Sequence, residues 1–73
     1  MELQAIKTEL QLTGWSYLGQ CACVPAAHEW RKNKYIIKYV AVRDLFNLFN
    51  PQRKVVAFGK SDILLASIEH NKI

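Results

Sequence analysis

Seventy-three residues, 51% of them hydrophobic and 22% charged, make one small globular domain, with no room for a second core or an inserted substrate domain. Ten lysines and arginines against six acids leave a formal charge of +4, and no apolar run nears the roughly 18 residues of a membrane span. No basic segment followed by an apolar block opens the chain, so the reading is a cytoplasmic protein without a secretory leader or membrane contact.

Residues 2–12 predict a helix. Leu3, Ile6 and Leu10 repeat at helical spacing, with Ala5 and Leu12 beside the stripe. Gly14 suits a left-handed stop after it. A strand through Leu10 and Leu12 is the competing reading, and the helix is preferred.

Residues 15–24 predict a strand. Trp15, Tyr17, Cys21 and Cys23 share one parity, Leu18, Ala22 and Val24 the other, and Gly19 marks a bend or bulge. Pro25 ends regular pairing because it lacks an amide donor. Residues 28–32 form a short strand, and Asn33-Lys34 turns the chain. Residues 35–43 give the clearest strand, β-branched and aromatic and nearly apolar on both faces.

Residues 44–49 fit either a helical face or a two-sided strand. Asn50-Pro51-Gln52-Arg53 places Asn and Pro at the first two positions of a type I turn. A hairpin of strands 44–49 and 54–58 then accounts for both halves, and Gly59 releases the chain. Residues 62–70 predict a short helix with Ser61 as N-cap, Asp62 in the first turn, an apolar face of Ile63, Leu64, Leu65 and Ile68, and Asn71 closing it. The expected fold class is α+β: an antiparallel sheet of three to five strands with an N-terminal and a C-terminal helix packed on one face.

Charge is unevenly placed. Arg31, Lys32, Lys34, Lys38, Arg43, Arg53, Lys54 and Lys60 face only Asp44 within residues 31–60, a formal +7, while the rest of the chain carries −3. Solvated sheet edges use such lysines to block unwanted pairing. A binding surface uses them to meet an anion. Trp30, Tyr35, Tyr39, Phe46, Phe49 and Phe58 interleave with the cations, a mixture suited to stacking bases and tracking phosphates. The expected open face carries Tyr35, Ile37, Tyr39, Ala41 and Arg43, with Trp30 and Lys32 across from them, if the helices cover Ile36, Val40 and Val42. The expected binding residues are Arg31, Lys32, Lys34, Lys38, Tyr39, Arg43, Arg53 and Lys54.

Catalytic and metal signatures are sparse. Cys21, Cys23 and His28 are zinc-ligand types, but the Cys-x-Cys spacing is shorter than usual and a fourth ligand would have to come from His70. On a strand the two cysteines point one way with Cβ atoms roughly 6–7 Å apart, too far for a disulfide, which wants about 3.8 Å. No phosphate loop, metalloprotease helix or paired-carboxylate motif occurs. No catalytic residue, metal or cofactor is expected. The functional expectation is a small binding protein for nucleic acid or an acidic partner, the alternative a homodimer or protein-interaction module.

Two resemblances add to this reading. The run from Leu12-Thr13-Gly14-Trp15-Ser16-Tyr17 through Leu18-Gly19-Gln20-Cys21-Ala22-Cys23, the Asn50-Pro51 turn and Gly59-Lys60-Ser61 resemble small uncharacterised proteins of Bacteroides-type genomes and mobile elements, which implies no established activity. The helix–strands–helix order also resembles the double-stranded-RNA-binding fold of HicA-type toxins, which implies a ribonuclease using His28. Those toxins carry glycine and serine before that histidine, whereas here the run is Ala26-Ala27-His28.

Overall fold

A computed structural model of the chain describes residues 3–21 and 27–73. Helix α1 (Leu3–Leu12) leads into strands β1 (Ser16–Cys21), β2 (Ala27–Lys32), β3 (Tyr35–Val40), β4 (Leu45–Phe49) and β5 (Val55–Gly59), and helix α2 (Ser61–His70) follows. The strands form one antiparallel sheet in the order β1-β2-β3-β4-β5, each paired with its neighbour in sequence.

Register decides what each face carries, because residues directly opposite in an antiparallel pair point the same way. Trp30 lies opposite Ile37, Ile37 opposite Leu48, and Leu48 opposite Ala57. This row is the floor of the core. Ile6 and Leu10 of α1 and Leu64 and Ile68 of α2 close over it, with Trp15 and Phe46 in the same cluster. Both helices therefore cover one face, as the sequence predicts. Ile6, Leu10, Ile37 and Leu48 are fully buried, each contributing on the order of 1.5–3 kcal/mol by leaving water.

The two helices end alike. Gly14 takes the left-handed conformation (φ +96°), the Trp15 N–H donates to the Leu10 carbonyl at 2.9 Å, and the Gly14 N–H to that of Gln11 at 3.2 Å. This is a Schellman stop. In α2 the Ile73 N–H donates to the Ile68 carbonyl at 3.1 Å and the Lys72 N–H to that of Glu69 at 3.2 Å, with Lys72 at φ +55°. Asn71 is the C-cap and also donates from its side chain to the Ser67 carbonyl at 2.7 Å.

The boundaries differ from expectation chiefly at three places, the end of β3, Trp15 and Ser61, while the bulge at Gly19 falls where expected. Strand β3 stops at Val40, not at residue 43. The Arg43 N–H bonds back to Val40 at 3.1 Å and the Asp44 N–H to Ala41 at 3.2 Å, so residues 41–44 form a turn. Asp44 (φ +52°) tolerates its left-handed position because a short polar side chain suits it. Trp15 does not begin β1; it is drawn into the core as part of the α1 stop. Leu18 is skipped in the pairing of β1 with β2, and the predicted irregularity at Gly19 (φ +92°) is that bulge. Ser61 is the first helical residue of α2 rather than its cap: Lys60 holds the N-cap position without a side-chain bond, and its carbonyl accepts from Leu64 at 3.1 Å.

Candidate functional site

The face opposite the helices is assembled from the alternate residues of the same strands. Arg31 lies opposite Ile36 and Ile36 opposite Phe49; Glu29 lies opposite Lys38, Lys38 opposite Asn47, and Asn47 opposite Phe58. Neither helix covers this side. It is an apolar floor studded with cations: the Lys38 ammonium sits 5.8 Å from the centre of the Phe49 ring, within reach of a cation–π contact.

Three shallow depressions run across it. One is lined by Glu29, Arg31, Ile36, Lys38, Phe49 and Arg53, a second by Arg31, Lys34, Ile36, Pro51 and Arg53, and a third by Val40, Arg43, Leu45, Asn47 and Phe58. Five cations thus line the surface against one carboxylate, Glu29, which approaches Arg31 at 4.0 Å.

The turns present two of these cations in unusual backbone settings. Asn33 and Lys34 both take positive φ (+50° and +69°), the pattern of a two-residue hairpin turn that favours Asn-Gly. In the β4–β5 connection the Arg53 N–H donates to the Asn50 carbonyl at 2.8 Å, closing the turn the sequence predicts, and the Asn50 side chain accepts from the Lys54 N–H at 2.9 Å. Arg53 then sits at φ +65°, where such a turn ordinarily uses glycine. At Lys34 and Arg53, which lack the short polar side chain of Asn33 or Asp44, the left-handed conformation costs roughly 1–2 kcal/mol each.

The fold brings together five of the eight residues expected at the site. Arg31 and Lys38 stand on the open face, Lys34 and Arg53 at its turn end, and Arg43 at the opposite end. Lys54 is exposed beside the Asn50–Arg53 turn. Lys32 and Tyr39 lie on the helix side, which corrects the expectation of an open face carrying Tyr35, Ile37 and Tyr39. That aromatic row is the covered one, and Ala41 and Arg43 belong to the turn rather than to β3. The Lys32 ammonium donates to the carbonyls of Thr13 (2.5 Å) and Ile73 (3.2 Å), at the C-terminal ends of both helices. Carbonyls there lack intrahelical partners and attract a cation. Tyr39 packs against Phe46 with the rings tilted and their centres 4.5 Å apart, and donates to Asp44 at 2.8 Å. Asp44 also meets the Lys60 ammonium at 3.1 Å. The hydrogen bonds from Tyr39 and Lys60 hold the Asp44 carboxyl below its usual range, and the bond to Asp44 pushes the Tyr39 phenol up.

Among the aromatics, Phe49 and Phe58 belong to the open face and stand outside the expected residue set, as does Ile36. Their signal was the parity of β2: Glu29 and Arg31 mark its wet side, and pairing carries that side to Ile36 and Lys38, then to Phe49 and Asn47.

His28 sits on the helix side, its Nδ1 2.6 Å from the Tyr17 hydroxyl, in an aromatic row with Trp30 and Tyr39. Partial burial and the Lys7 charge hold its pKa below the ordinary 6.5. The Cys21–Cys23–His28 metal reading lies outside the described residues, because Cys23 and the Cys21 side chain are not among them. Among the described residues no cluster of three or more metal-ligating side chains forms, and no helix is long and apolar enough to cross a membrane. No protein family matches the chain, and no curated protein or solved structure is significantly similar to it.

Proposed function

We propose that the protein binds single-stranded nucleic acid across the uncovered face of its sheet. The observation that carries this reading is the composition of that face: Phe49 and Phe58 stand among Arg31, Lys34, Lys38, Arg43 and Arg53, with Glu29 the single acid. Phenyl rings on an open sheet stack unpaired bases, and the cations follow the backbone. A duplex keeps its bases stacked on one another and has no use for the rings.

The test is fluorescence anisotropy with short single-stranded DNA and RNA of mixed sequence. Affinity should fall with salt by a slope of about −0.7 per phosphate contacted. Phe58→Ala should weaken binding by roughly 1–3 kcal/mol, the size of one stacked base. Absence of binding at low salt overturns the reading. Binding that responds to Lys38→Ala but not to Phe58→Ala replaces it with a polyanion or acidic-protein surface.

A second reading has its own observation. Edge strand β5 (Val55–Gly59) contains no charged residue, and Val55, Val56 and Phe58 are all substantially exposed. Such an edge is a template for pairing with another strand. A homodimer joined there would be insensitive to salt in sedimentation and would be dispersed by Val56→Lys, a change outside the depressions of the open face.

A further inference from the structure

The meander carries the β2–β3 and β4–β5 turns to the same end of the sheet, beside Arg31. The corner they form is a depression of about 250 Å³ lined by Arg31, Lys34, Ile36, Pro51 and Arg53, with no acid among its lining residues. Lys34 and Arg53 are the two cations at left-handed positions of these hairpins. Lys72 shares that conformation, but it ends α2, where a positive charge meets the helix dipole. No such partner accounts for Lys34 or Arg53, and neither forms an ion pair among the described residues. Two turns that favour glycine each present a long cation to one depression, and a third cation, Arg31, completes it.

We infer that this corner holds the terminal phosphate of the bound strand, a phosphomonoester dianion. The inference rests on the nucleic-acid reading above and sharpens it to strands with a phosphorylated end. An internal phosphodiester carries one negative charge and two free oxygens. A terminal phosphate carries close to two charges and three oxygens near neutral pH, which suits one ammonium and two guanidinium groups. The neighbouring depression shares Arg31, Ile36 and Arg53 and adds Phe49 and Lys38. A phosphate in the corner thus leaves its own base within reach of the Phe49 ring.

The experiment compares one oligonucleotide in three forms: 5′-phosphate, 3′-phosphate, and hydroxyl at both ends. One phosphorylated form should bind about ten-fold more tightly than the hydroxyl form. That increment should vanish in the Lys34→Gly/Arg53→Gly double variant, whose backbone is better suited to the turns, while the hydroxyl form still binds. Equal affinity for all three forms overturns the inference and leaves the nucleic-acid reading standing. If no oligonucleotide binds, that reading fails, and titration with inorganic phosphate followed by amide NMR decides the corner separately. Saturable shifts at residues 33–36 and 50–54 that are lost in the double variant support an anion site there; their absence overturns it.

Discussion

The two faces of the sheet are made by the same five strands and contain the same kinds of residue, aliphatic, aromatic and lysine, yet only one is covered. Trp30, Ile37, Leu48 and Ala57 follow one another across four strands without a charge between them. On the other face the corresponding rows carry Arg31, then Glu29 and Lys38. Covering that side would take all three charges out of water, at a cost no packing of Ile36 and Phe49 would offset. Covered and open are therefore decided by the continuity of the apolar row more than by its total hydrophobicity.

Truncation should separate the faces most strongly. Trp30→Ala removes a side chain that is 1% exposed from the middle of the core and should cost about 3–5 kcal/mol. A domain of this size holds only about 0.05–0.15 kcal/mol per residue, so urea unfolding should find the variant barely folded. Phe58→Ala, at a ring 60% exposed, should change stability by no more than about 0.5 kcal/mol while weakening oligonucleotide binding. Equal losses of stability would mean that something covers the open face.

Two lysines sharpen the contrast. Lys32 bonds to the ends of both helices, so Lys32→Ala should lose about 1–2 kcal/mol, lowering the melting temperature by roughly 5–15 °C, with oligonucleotide affinity unchanged. Lys38→Ala should do the reverse, leaving the melting temperature nearly in place and reducing the salt slope of binding by about 0.7. Identical behaviour of the two variants would remove the distinction between a structural and a binding cation.

Arg53→Gly divides the same question within one residue. Glycine accepts φ +65° without strain, so stability should rise or hold, within about 1 kcal/mol, in thermal unfolding. Affinity for an oligonucleotide with a phosphorylated end should fall. A variant that both unfolds more easily and binds as well would make Arg53 a structural residue.

Much of this arrangement is legible from residues one at a time. Gly14 stops α1, Asn50-Pro51 turns β4 into β5, and Leu3, Ile6 and Leu10 set the face of the first helix. The inward face of β3 is not legible from β3, because Ile36 and Val40 are as apolar as Ile37, and Tyr35 and Tyr39 are amphipathic. The decision is made in β2, where Glu29 and Arg31 flank Trp30, and is passed on by the two-residue turn that sets Trp30 opposite Ile37. The end of β3 was hidden for a different reason: Ala41 and Val42 have strand-like side chains, but the turn depends on Asp44 accepting a left-handed backbone. The roles of Lys32 and Trp15 depend on contacts between distant segments, which local periodicity does not carry.

The smallest expected effect distinguishes the covered face by its response to acid. Neutral His28 with its proton on Nε2 accepts from the Tyr17 hydroxyl at Nδ1. Protonation removes that acceptor and places a second positive charge near Lys7. The folded-state pKa is below 6.5, so the unfolded chain binds the proton first as pH falls. Stability contributed by the neutral ring is complete above about pH 6.5 and is lost as pH drops through the lower, folded value. Asp44 works in the same direction further down, its contribution disappearing below the ordinary carboxylate value of 3.8. The melting temperature should decline slightly between pH 7 and 5, and His28→Gln should flatten that decline. An equal decline in the variant would assign the acid response to other groups, leaving the Tyr17–His28 contact without a measurable share in holding β1 to β2.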